Sequence, residues 1–372
     1  MLIGQTGAPT AVVNESLAGF LEGSPGEQVS FVRGGPTGLV AGDYVPVEKL
    51  DHRAGWRGWG GSVIGGGRRA VTSADLDAVI ESLARHHIDA LSLVGGNGTM
   101  AFLQAIAERA EQRGSSLRVV GIPKTIDNDL PGVDHSPGFA SAASYLSQIM
   151  PDLARDHQAM SSIEPVRLVE TMGRATGWLA AAAAFPGESG ESSVDLVITP
   201  EQALSTECFL STLEARVADK GRVLAVVSEG VFPDLSEQPV GQKNHATLVT
   251  GGVSRLLADQ IGQQLGLPVR AEVLGVVQRS AAALSSATDR QEAYDVGYRA
   301  AQVLVGSEET GVMVGICRVD GHEYAPQYSL VPLVDLTDVR PLPAKWAHED
   351  PRNMTDFFEW LNPLLRSSAS QV

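Results

Sequence analysis

Ala90-Leu91-Ser92-Leu93-Val94-Gly95-Gly96-Asn97-Gly98-Thr99 is the stretch on which the fold is decided. Residues 90–94 form an apolar run without alternation, which suits a strand buried on both faces of a parallel sheet. The glycines at 95, 96 and 98 then make a turn. From Met100 to Gln112, Phe102, Leu103, Ile106 and Ala110 recur at helical spacing. Strand, glycine turn and helix start form a cradle for an anion: backbone N–H groups point at it and the helix dipole favours negative charge. The glycines let the backbone approach closely. The same turn also serves as a plain strand-to-helix connection, so alone it does not identify a site.

Working outward, the same grammar repeats. Apolar runs at Val119–Ile122, Arg167–Val169 and Val223–Val227 each end in glycine or a polar turn. Leu76, Val79, Ile80 and Leu83 share one face of a predicted helix over Asp75–His86. Alternating strand and helix predicts a doubly wound α/β fold. The 372 residues allow two domains or one large α/β body. Loops are expected near Pro186–Ser193 and Pro233–Asn244, and a helix over Met354–Leu365 before a polar end.

Composition narrows the partners. A net charge of −16 argues against nucleic acid, which needs a basic footprint. A small anion can still bind where the site is locally basic. Cys208 and Cys317 are far apart and outside metal-type spacing, so no disulfide framework is expected. The start, Met1-Leu2-Ile3-Gly4, lacks a basic leader, and Leu179–Phe185 is too short to span a bilayer. The expectation is a soluble cytoplasmic protein without a membrane partner.

Two further motifs carry chemistry. Pro123-Lys124-Thr125-Ile126-Asp127-Asn128-Asp129 follows an apolar run and should lie at the carboxyl edge of the sheet, where ligands bind. One carboxylate can take the proton of an attacking hydroxyl, the other can hold Mg²⁺, and the lysine can neutralise a transferred phosphoryl group. Gly4-Gln5-Thr6-Gly7-Ala8-Pro9-Thr10 ends the first predicted strand and could add amides to a phosphate site. Basic residues are few. Arg68 and Arg69 follow Gly65-Gly66-Gly67, Arg174 ends Thr171-Met172-Gly173-Arg174, and Arg270 and Arg279 flank an apolar strand. Guanidinium groups suit bidentate phosphate binding.

Together these residues resemble the phosphofructokinase family, in order from about Ile3 to Ala300. The shared motifs are Gly7–Thr10, Gly95–Thr99, Pro123–Asp129, Met172–Arg174, Ser228-Glu229-Gly230 and Val273–Arg279. Asp134-His135-Ser136-Pro137-Gly138 and Gly177–Ala184 look closest to a bacterial branch rich in pyrophosphate-dependent members. The resemblance implies two similar doubly wound, Rossmann-like domains with the active site in the cleft between them. Residues 1–137 with about 276–372 would bind the phosphate donor, and residues 138–275 the sugar phosphate. Asp127 would be the base on the sugar 1-hydroxyl, and Thr125, Lys124 and Arg174 would serve the transfer. Gly7, Arg68, Gly96, Asn97, Gly98 and Thr99 would hold the donor, with Asn97 and Asp129 on Mg²⁺. Met172, Gly173, Arg174 and Glu229 would hold the sugar, with Arg270 and Arg279 on its 6-phosphate. The family's oligomers share sugar-phosphate ligands across subunits, which implies a homodimer or homotetramer.

The sequence departs from the family pattern at Ala8, at Asn97 where an aspartate is usual, at Val276 where a histidine is common, and at Pro165 where an arginine is expected, although Arg167 is nearby. Donor signals conflict. Gly98 admits an ATP α-phosphate that a carboxylate would repel. Lys124 is typical of pyrophosphate users, and Phe102 stands where a small residue accommodates a nucleoside. The balance leans slightly to ATP over pyrophosphate. Fructose 6-phosphate is the leading acceptor. Another sugar phosphate such as sedoheptulose 7-phosphate, or a non-catalytic regulatory role, stands as the alternative.

Overall fold

The computed structural model describes residues 1–49, 56–187, 190–232, 252–319, 321 and 323–365. In chain order the strands are β1 (Leu2–Gln5), β2 (Ser30–Val32), β3 (Tyr44–Pro46), β4 (Ala90–Gly95), β5 (Arg118–Pro123), β6 (Val166–Thr171), β7 (Leu196–Ile198), β8 (Val223–Ser228), β9 (Val269–Val273), β10 (Val312–Arg318) and β11 (Pro326–Pro332). The helices are α1 (Val13–Glu22), α2 (Gly35–Ala41), α3 (Ser73–Arg85), α4 (Asn97–Gln112), α5 (Phe139–Met160), α6 (Trp178–Ala183), α7 (Thr206–Lys220), α8 (Val253–Leu265), α9 (Val277–Ser280), α10 (Ala287–Gly306) and α11 (Thr355–Leu361). The alternation expected from the apolar runs is present, and the fold is α/β.

Packing divides the chain into two units. The first contains Met1–Ser141 and Arg279–Val339. Its sheet runs β11-β10-β5-β4-β1-β2-β3. The inner strands are parallel, while β3 and β11 close the edges antiparallel. β4 and β5 are wholly or almost wholly buried, as runs without alternation require. One face packs Leu91, Leu93 and Val119 against Leu103 and Ile106 of α4 and Val79 of α3. The other packs Ile3, Val94 and Ile122 against Leu17 of α1 and Val296 of α10. Sequence order reverses around β1, which pairs with β2 on one side and β4 on the other. The turns after β1 and β4 therefore diverge at the carboxyl edge, the place where open α/β sheets bind ligands.

The second unit contains Ala142–Gln278 and Arg340–Ser367. Its all-parallel sheet runs β7-β8-β6-β9. Leu168, Ala225 and Val227 pack against Phe209, Leu213 and Leu257. The expectation placed all of 276–372 in the first unit, but among the described residues Arg340–Leu365 packs with the second. The reason is aromatic. Trp346, Phe357 and Trp360 lie 6.0, 6.3 and 5.4 Å from the buried Trp178 ring. Val197 also donates its N–H to Glu349 O at 2.9 Å. The tail helix expected over Met354–Leu365 is α11 followed by a 3-10 turn at Asn362–Leu365. The loop expected over Pro233–Asn244 lies outside the described residues. No helix among the described residues is long and apolar enough to cross a membrane.

Candidate active site

The glycine turn between β4 and α4 is built as its sequence demands. α4 begins at Asn97, its preceding residue Gly96 is extended, and no side chain caps the helix start. That leaves the positive end of the dipole for an anion. Gly95 has no room for a side chain: a Cβ there would meet Thr99 Oγ1 at 1.9 Å. Thr99 is buried and shares a hydrogen bond with the Thr6 hydroxyl, which ties this turn to the one after β1. Gly98 is exposed, and a Cβ there would meet nothing within 4 Å. Gly7 takes a φ of +76°, donates its N–H to Gly67 O at 2.8 Å, and so holds the Gly65–Gly67 loop beside the cradle. Arg68 follows on that loop and is exposed; neighbouring Arg69 is drawn to Asp75 at 2.5 Å.

Lys124, Thr125, Asp127 and Asp129 follow β5 at the same edge. Lys124 is buried and donates to Ala8 O at 2.7 Å. Burial lowers its pKa to about 8; Asp127 opposes the shift, Arg68 and Arg279 reinforce it, and Asp129 opposes it. These five charged groups therefore share one electrostatic neighbourhood. Thr125 Oγ1 accepts the Asp127 N–H at 3.1 Å, so the threonine orients the backbone that carries the carboxylate. Arg279, expected on the sugar's 6-phosphate, belongs to the same unit as the donor cradle.

Asn97 tests the fit for Mg²⁺. Its Nδ2 donates to Asp129 O at 3.2 Å, while its buried Oδ1 has no hydrogen-bond partner. An orphaned amide oxygen next to Asp129 is a hard donor of the kind Mg²⁺ accepts. Among the described residues no group of three or more His, Cys, Asp and Glu forms a metal cage. Such a set matches an ion bound by one carboxylate, an amide oxygen and substrate phosphates.

The second unit gathers a separate cluster after β6. Glu229 is buried, and its Oε1 accepts the N–H of Arg174 at 2.9 Å and of Gly173 at 3.3 Å. Met172 donates its N–H to Gln278 Oε1 at 3.1 Å. Gly173 has φ +138° and Arg174 φ +51°, so the turn is held in a conformation that side chains disfavour. Arg174 projects from it as an exposed residue.

Arg270 does not join this cluster. It is in register with Arg167 near the start of β9, whereas Met172 follows the far end of β6. At ~3.3 Å of rise per residue, roughly 16 Å of strand separates them. Arg270 instead pairs with Glu272 at 3.0 Å and Glu164 at 3.6 Å. Arg167 does not stand in for the arginine that Pro165 replaces: it is buried and ion-paired with Asp156 at 2.6 Å. Val276 is exposed.

Three residues escaped the sequence reading. Gln278 fixes the Met172 amide. Asn128 takes φ +55° and accepts the Ser136 N–H at 3.0 Å. Gln5 donates to Thr6 O and Gly7 O, both at 2.9 Å. The Gln278-Arg279 pair and the Asp-Asn-Asp run were visible, but neutral amides gave no charge signal.

A glycine turn leading into an uncapped helix start, beside a buried lysine that feels two carboxylates, is an arrangement suited to phosphoryl transfer. The chain belongs to the phosphofructokinase family: the model of that family, described as Phosphofructokinase, matches residues 1–304. It is 38% identical over 367 residues to a sulfofructose kinase of Alkalicoccus urumqiensis, covering 98% of this chain and 94% of the relative. It is 30% identical over 385 residues to a pyrophosphate–fructose 6-phosphate 1-phosphotransferase of Rhodospirillum rubrum, covering 98% and 94%. It is also similar in structure to a pyrophosphate-dependent phosphofructokinase from Nitrosospira multiformis, with a TM-score of 0.85 and 26% identity, over 98% of this chain and 91% of that one.

Proposed function

We propose that the chain transfers a phosphoryl group to the 1-hydroxyl of a fructose that carries an anion at C6. The observation behind this reading is the buried Lys124 at the carboxyl edge after β5, under the electrostatic influence of Asp127, Arg68, Arg279 and Asp129, beside Thr125 Oγ1, which accepts the Asp127 N–H at 3.1 Å. Asp127 takes the hydroxyl proton as the sugar oxygen bonds to phosphorus and the bond from phosphorus to the donor oxygen breaks. Lys124, Arg68 and Arg279 stabilise the charge on the transferred group, and Thr125 holds Asp127 in place. Asn97 and Asp129 would hold Mg²⁺, which when bound neutralises donor phosphate charge. Met172, Gly173, Arg174 and Glu229 would hold the sugar. The first unit is thus read as donor-binding and the second as sugar-binding.

ATP is preferred over pyrophosphate. The space at Gly98 leaves room for a further phosphate. Phe102 packs against the core of its unit, which supports leaving the nucleoside side open. Fructose 6-phosphate is the first acceptor. Sulfofructose is the second, favoured by a specific feature: Val276 offers no cation, and Arg270 is neutralised by Glu272 and Glu164. A weaker positive field suits a sulfonate monoanion better than a phosphate dianion, and the sulfofructose kinase relative supports the same choice. A homodimer or homotetramer would return Arg270 to the reaction through a second copy. The edge position of β9 and the exposure of Val273, Val276 and Val277 support that arrangement.

The test is turnover by purified protein with Mg²⁺, fructose 6-phosphate or sulfofructose, and ATP or pyrophosphate. Phosphorylation at C1 with at least one pair supports the reading, and the ratio of kcat/KM values ranks the acceptors. Silence with all four pairs would overturn it.

A further inference from the structure

A buried charged cluster lies behind the transfer loop. The strap Asp134–Gly138 runs back beneath Lys124–Asp129. Thr125 donates its N–H to Pro137 O at 3.1 Å, and Asn128 Oδ1 accepts the Ser136 N–H at 3.0 Å. The strap is held to α10 by His135, which is fully buried. His135 Nδ1 lies 2.9 Å from Asp134 Oδ2 and its Nε2 lies 2.7 Å from Glu292 Oε2. One turn earlier on α10, Asp289 accepts the N–H groups of Gly138 and Ser141, each at 2.9 Å. From the β10 side, Arg318 reaches Asp134 at 3.2 Å, and Tyr324 donates to Glu292.

We propose that His135 is a positioning residue for phosphoryl transfer: bridged between Asp134 and Glu292, it pins the strap to α10 and thereby fixes the backbone that carries Thr125, Asp127 and Asn128. A buried imidazole bonded at both nitrogens to carboxylates is a stiff link, and its contact with Glu292 is shielded from water. Burial disfavours its charge, yet Glu292 and then Asp134 outweigh that and hold its pKa up to about 9. The link is therefore charged at neutral pH. Its catalytic meaning rests on the function proposed above, because a small misplacement of the loop would lower kcat rather than weaken binding.

Two readouts test it. Hydrogen exchange over residues 123–138 would be compared in wild type, His135→Ala and His135→Gln. In His135→Ala the amides of Thr125, Ser136 and Gly138 should exchange on the order of tenfold faster while the sheet of the first unit keeps its protection. The same variant should lose roughly 10–100-fold in kcat with KM within about threefold. His135→Gln, which can still donate to Glu292, should recover most of both. Unchanged exchange in the strap, or acceleration spread evenly over the first unit, would overturn the proposal. A wild type without turnover would sink the functional reading alone and leave exchange to decide the role of His135.

Discussion

At Lys124, burial and charge act in opposite directions. Dehydration lowers its pKa to about 8 while Asp127 and Asp129 resist. The ammonium is present below that pH and lost above it, so kcat/KM, which reports the free enzyme, should fall as pH rises through about 8. Lys124→Met should flatten that limb and lower the rate at pH 7. The same shift has the opposite sign for stability. Between the folded pKa of about 8 and the ordinary lysine value of 10.5 the unfolded chain binds more protons, so this group's contribution to stability rises with pH there. Asp127→Asn should lose on the order of 10²–10⁴-fold in kcat, the range for removing a general base. Stopped assays of product at saturating acceptor check it, and a near-unchanged kcat would remove Asp127 from the base role.

The turn between β4 and α4 separates two kinds of glycine. Gly95→Ala would push a Cβ into Thr99 and disrupt its bond to Thr6, so it should lower thermal stability and activity together. Gly98→Asp meets open space and should leave Tm near wild type. It should abolish ATP turnover through repulsion of the α-phosphate, with pyrophosphate turnover spared if that donor is used. Undiminished ATP turnover in Gly98→Asp would refute the donor argument. The elements themselves were legible because Ala90–Val94, Val119–Ile122, Arg167–Val169 and Val223–Val227 are buried on both faces and show no alternation of burial. The β10–β11 hairpin was not, because β11 is a half-exposed edge strand with weak patterning. Most of the donor cradle could be read from motif residues that are neighbours in sequence. The strap's hold on α10 could not, because His135 and Glu292 are 157 residues apart and meet only in the fold.

On the scale of the whole chain, Arg340–Leu365 belongs with the second unit through its aromatic rings. In a chain with five tryptophans, Trp346 and Trp360 in that tail were a signal that it packs against something. Phe357 is fully buried there, and Phe357→Ala should cost about 3–5 kcal/mol in urea unfolding followed by tryptophan fluorescence. A net charge of −16 gives no general attraction for phosphates, so the proposed donor site relies on the local positive charge of Arg68, Lys124 and Arg279. The most direct measurement of the central claim is product formation by wild type and Asp127→Asn side by side, with fructose 6-phosphate and sulfofructose as acceptors and ATP and pyrophosphate as donors, read by phosphorus NMR. Wild type should give a new C1 phosphate ester, and the variant almost none. Wild-type silence with every pair, or equal product from the variant, would contradict it.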